Sequence, residues 1–131
     1  MTLAALLLTA TLFGGMVFFS FGFAPVLFAQ LPLEKVRPLL RGTFPYYYLA
    51  VIALAAIAAA VTFAVSPLAA GLLAGVAAST VYARQILMHQ INAATDRGDK
   101  RAFGRLHGAS VVIQLIQIGI AGWAVVVIAG G

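Results

Sequence analysis

Four long apolar runs, separated by short breaks, constrain this chain more than any other feature. They cover about residues 3–28, 44–65, 68–91 and 107–128. Each is close to the ~20 residues a helix needs to cross ~30 Å of hydrocarbon. Lipid offers backbone groups no hydrogen-bond partner, so only helices or a closed barrel can span it. The runs are too long and too evenly apolar for barrel strands. The expected fold is therefore all-α: one domain over residues 1–131, an integral membrane four-helix bundle. Charge agrees with this. Only 8% of residues are charged, against about a quarter in a soluble domain.

The net charge of +5 raises nucleic acid as a partner. The basic residues, however, sit in short loops beside apolar spans, where the bilayer accounts for them and nucleic acid is not needed. Lys35, Arg37 and Arg41 lie between spans one and two; Arg97, Lys100, Arg101 and Arg105 lie between spans three and four. With four spans, both loops share one side. The positive-inside rule makes that side cytoplasmic and puts both termini on the other, in an inner or plasma membrane. Glu34, Asp96 and Asp99 fall on the same side as the bases. The N-terminus lacks a basic region, and its apolar run exceeds the ~7–15 residues of a cleaved signal, so it reads as a retained span. The absence of cysteine excludes disulfides, thiolate metal sites and redox cysteines.

Within span one, Gly14, Gly15 and Gly22 permit close helix approach. Pro25 removes the amide that would bond the Phe21 carbonyl, either as a packing kink or to free that oxygen for a ligand. From Gln30 to Gly42, Leu33, Val36 and Leu40 alternate with charges, the pattern of a short interfacial helix entered at Pro32 and interrupted at Pro38. Tyr46, Tyr47 and Tyr48 read as a headgroup-level belt. Gly71, Gly75 and Ser79 recur every fourth residue, a ridge suited to helix contact within the bundle or between copies in a homo-oligomer.

The polar residues of the last two spans form the most distinctive pattern. Tyr82, Gln85, His89 and Asn92 are spaced 3, 4, 3, as are His107, Ser110, Gln114 and Gln117. On helices each set occupies one face. Antiparallel spans would pair them as Tyr82 with Gln117, Gln85 with Gln114, His89 with Ser110 and Asn92 with His107. Arg84 lies in span three, roughly 12 Å inside its end, and no span contains an acid to pair with it. Its partners are then Tyr82, Gln85, Gln114, Gln117, the Phe21 carbonyl, water or an anionic ligand. A guanidinium in hydrocarbon costs about 2.5–3.5 kcal/mol before snorkelling relieves it. His89 and His107 either hydrogen-bond across the seam or ligate a haem iron from two facing helices; a zinc or copper site lacks a third ligand. No nucleophile–base pair, carboxylate pair or phosphate loop is present, so enzyme chemistry would require a bound cofactor.

Several segments also carry a family likeness. Gly14-Gly15-Met16-Val17-Phe18-Phe19 with Phe23-Ala24-Pro25, Phe44-Pro45-Tyr46-Tyr47, and Phe103-Gly104-Arg105-Leu106-His107-Gly108-Ala109-Ser110 resemble the signatures of the transmembrane protein 205-like family. The resemblance implies a four-span membrane domain without an assigned reaction. The glycines and proline of span one are more distantly similar to the copper-resistance D and protoporphyrinogen-oxidase J groups, which implies copper or haem handling; span one here has no histidine.

The pattern predicts a multi-pass membrane protein that binds a small anionic or amphipathic ligand through Arg84, Gln85, His89, His107, Ser110, Gln114 and Gln117. The alternatives are a haem-binding oxidoreductase or electron carrier, an assembly or scaffold protein, and a small transporter.

Overall fold

A computed structural model describes residues 1–130. The four expected spans are four helices: α1 Thr2–Gln30, α2 Leu33–Thr62, α3 Pro67–Asp96 and α4 Lys100–Gly130. At 1.5 Å per residue each is about 45 Å long, so every helix crosses the hydrocarbon with turns to spare. They form a ring in chain order: α1 packs on α2 and α4, α2 on α3, and α3 on α4. The exterior is apolar, with Leu7, Phe18, Leu49, Ile57, Val112 and Val126 exposed. This is an integral membrane protein whose outer face contacts lipid.

The interior is built from small residues. Ala55, Ala58, Ala69, Ala121 and Ala124 pack around Leu12, Met16, Leu73 and Val76. Lipid is as apolar as leucine, so close backbone approach and dispersion, not water exclusion, hold such helices together. Gly71 and Gly75 do not serve this contact. Both are exposed, and nothing lies within 4 Å of where a Cβ would stand.

The turns follow local chemistry. Ser66 caps α3 by accepting from the Ala69 amide at 3.2 Å, and Pro67 occupies the first helical position. At the other end Gly98 adopts φ +71°. Its amide bonds the Thr95 carbonyl, and the Asp99 amide bonds the Ala94 carbonyl, so α3 closes in a Schellman motif. Asp99 then caps α4 through the Ala102 amide at 3.0 Å.

Two local readings are corrected. The stretch Gln30–Gly42 holds no separate interfacial helix: α2 starts at Leu33 and runs unbroken through Pro38 and Pro45. Val36 is buried in phase with Tyr48, Val51, Ala55, Ala58 and Thr62, so the segment packs as the first turns of α2. The carbonyls that lose donors belong to Glu34 and Arg41, exposed residues near the polar end where water is at hand. The three tyrosines are not one belt either. Consecutive helical residues point about 100° apart, and exposure falls from 75% at Tyr46 to 7% at Tyr48.

Above Val17, α1 changes course. Residues Phe18–Phe23 form a π-helical turn, with the Ala24 amide bonding the Phe19 carbonyl five residues back. The wider turn relieves the ring of Pro25. Below it α1 packs along both α2 and α4; beyond it the final turns Ala24–Gln30 stay on α2 and leave α4. A second π-turn spans Ala83–Leu87 in α3.

Candidate functional site

The divergence of α1 from α4 leaves a cleft of about 280 Å³ at the end of the bundle that carries the basic loops. All four helices contribute to it. Its walls are apolar and aromatic. Phe19 and Tyr47 stack with centroids 3.9 Å apart at 13°, and Phe44 meets Phe19 edge-on at 5.3 Å. Phe21, Val111 and Leu115 lie at the lips and are exposed to the bilayer side. His107, Asn92 and Arg41 line the rim.

The floor is polar and neutral. Gln114 Nε2 donates to Ser20 Oγ at 3.0 Å and to the Tyr47 hydroxyl, joining α4 to α1 and α2. Ser110, one turn nearer the rim, also lines the cleft. Gln117, another turn deeper, is 5% exposed. Its Nε2 donates to Ser79 Oγ at 2.6 Å and Thr80 Oγ1 at 3.1 Å, joining α4 to α3. Ser79 is thus used inside the bundle, unlike Gly71 and Gly75.

Of the residues singled out in α4, the structure brings His107, Ser110 and Gln114 to the cleft and Gln117 beneath it. Those of α3 are placed differently. The inward face of α3 runs through Leu73, Val76, Thr80, Ala83 and Leu87. Tyr82, Gln85 and His89 each stand two residues from one of these positions, about 200° away, and are exposed. Their spacing does make a stripe, but on the outer surface. The expected pairs of Tyr82 with Gln117 and Gln85 with Gln114 do not form, because Gln117 is taken by Ser79 and Thr80 and Gln114 by Ser20 and Tyr47. Only Asn92 reaches the cleft from that stripe.

Arg84 turns toward α2. Its Nε donates to the Pro45 carbonyl at 3.1 Å and its Nη1 to Gln85 Oε1 at 2.9 Å. Of the candidate partners, Gln85 is met and the Phe21 carbonyl is not. At the surface, Arg41 makes a bidentate pair with Asp96, at 2.7 and 2.9 Å, which ties α2 to α3 beside the rim. That hydrogen-bonded guanidinium holds the Asp96 carboxyl below its ordinary value. The Ala102 amide does the same for Asp99, with Arg97 helping.

The two histidines do not converge on one cavity. His107 lines the rim and stacks with Phe103, at 5.5 Å and 5°, whereas His89 is exposed on the outside of α3. A haem held between them does not fit this arrangement. Among the described residues, no group of three or more His, Asp or Glu could hold a metal ion.

The residues that sequence reasoning did not place here are Ser20, Phe19, Phe44, Tyr47 and Tyr48. Ser20 was the one legible signal, a hydroxyl beside Gly22 and Pro25 in a span whose other hydroxyls, Thr9 and Thr11, lie in its opposite half.

A family model described as a domain of unknown function (DUF4149) matches residues 7–100. The chain belongs to this family. The match takes in α1, α2 and α3, including Ser20, Tyr47 and Arg84, and stops where α4 begins. No curated protein and no solved structure matches the chain.

Proposed function

We propose that this protein binds a small amphipathic molecule drawn from the bilayer, in the cleft between α1, α2 and α4. One observation carries the reading: aromatic walls, open between α1 and α4, stand over a hydrogen-bonding floor of Ser20, Tyr47 and Gln114 inside the hydrocarbon zone. Concave, mostly apolar sites with a few convergent polar groups are where small molecules bind. The basic loops beside the rim favour the cytoplasmic side for this end, with both termini opposite. Binding rather than catalysis is the function proposed, since the floor carries no nucleophile activated by a base.

Ser110→Phe fills the cleft from α4 and supplies the test. Mass spectrometry of molecules retained by the purified protein should find an amphiphile enriched over bulk lipid in the wild type and depleted in Ser110→Phe. The same retained set from both proteins would refute the reading.

A further inference from the structure

The chemistry of the ligand's head can be narrowed, on the reading of the cleft just given. Gln114 Nε2 spends its protons on Ser20 Oγ and the Tyr47 hydroxyl, so both hydroxyls act as acceptors toward Gln114 and keep their own protons. The Ser20 and Tyr47 hydroxyls also hydrogen-bond each other, which uses one of their two protons. One hydroxyl donor and the Gln114 Oε1 acceptor are left for an occupant.

These groups lie deep. Gln114 is seven residues past His107 in α4, roughly 10 Å further in. No charged side chain lines the cleft at that depth. Its one charged lining residue, Arg41, sits at the rim and is already paired with Asp96. A carboxylate or phosphate on this floor would lose its water with no cation to replace it. A neutral oxygen acceptor meets the remaining hydroxyl proton without that cost. The walls are apolar and rich in aromatic side chains, suited to an apolar ring. The cleft is at the small end of ligand sites, which run about 300–1,000 Å³, so a ring fits and a pair of acyl chains does not. The exposed lips Phe21, Val111 and Leu115 give an apolar tail a way into the bilayer.

We propose that the cleft takes a neutral lipid-soluble molecule of the quinone class. Its ring carbonyl accepts the free hydroxyl proton of the Ser20–Tyr47 pair that Gln114 holds in place, and its tail leaves between α1 and α4. The proposal concerns binding alone.

Tritiated decylubiquinone and tritiated phosphatidylglycerol, each tested on the detergent-purified full chain captured on scintillation beads, separate the outcomes. Decylubiquinone should bind with the same affinity at low and high salt, and Ser110→Phe should abolish it. Tyr47→Phe and Ser20→Ala, which remove one hydroxyl each and keep the walls, should weaken it roughly 2- to 10-fold. Wild-type affinity in both hydroxyl variants would overturn the proposal. Salt-sensitive binding of phosphatidylglycerol alone, lost in Ser110→Phe, would overturn the neutral head while leaving the cleft as a binding site. Binding of neither probe would overturn the proposal as well. Should Ser110→Phe fail to fold, the two hydroxyl variants decide.

Discussion

Gln117→Leu tests how this bundle is held together. The Gln117 amide is buried and makes two sound interhelical bonds, to Ser79 and Thr80; a third approach, to the Val76 carbonyl at 3.5 Å, is at the limit of geometry and is not counted. Interhelical side-chain bonds in membranes average about 0.6 kcal/mol and reach about 1.7. Two of them therefore contribute on the order of 1–3 kcal/mol. Leucine fills nearly the same space, and lipid rewards its burial little, since the unfolded helix also lies in hydrocarbon. The partners are not orphaned by the change. Ser79 and Thr80 both donate to the Val76 carbonyl, at 3.1 and 2.7 Å. The net loss should sit near the low end, about 1–2 kcal/mol, or roughly 5- to 30-fold in the folded population. Reversible unfolding in mixed micelles, followed by helicity and by Trp123 fluorescence, measures it. A double-mutant cycle with Ser79→Ala should show coupling of about 0.6 kcal/mol or more. Zero coupling, or a Gln117→Leu protein as stable as the wild type, would refute the role assigned to this amide.

Two further outcomes follow from the polar end of the bundle. Arg84→Lys keeps the charge but loses the planar fork that reaches Pro45 and Gln85 together; the same assay should show a loss of about 1 kcal/mol, and no change would mean the guanidinium geometry is immaterial. Asp96 has its native pKa lowered from 3.8 by the hydrogen bond from Arg41, so its contribution is full above that ordinary value and disappears as pH falls through the lowered one. Asp96→Asn should flatten the fall in thermal midpoint between neutral pH and pH 3, leaving the smaller slope due to Asp99; an unaltered profile would show that the pair adds nothing.

The architecture was legible because it follows from what lipid denies a backbone. Runs such as 107–128 can satisfy their amides only as helices, whatever surrounds them. The candidate site was half legible, and α3 shows why. Spacing reports that Tyr82, Gln85 and His89 share a face, yet it is silent on which way the face turns. Polar spacing favoured an inward stripe, but the inward position went to Leu73, Val76, Thr80, Ala83 and Leu87, whose small or compact side chains let α3 pack closely on α2 and α4. The tyrosines show the converse. Each suits a headgroup belt alone, yet about half a helical turn sends Tyr46 outward and Tyr48 into the core.

What the sequence by itself determined is the set of four membrane-crossing helices, their antiparallel course and the gathering of charge at one end. These depend on local hydrophobicity and on the length of apolar runs. Only the tertiary structure decided which polar groups meet. That depends on the rotation of each helix about its axis and on the bend at Phe18–Pro25, set by side-chain packing among helices far apart in the chain. The cleft exists because one helix leaves its neighbour, and its floor is drawn from Ser20, Tyr47 and Gln114, on three different helices.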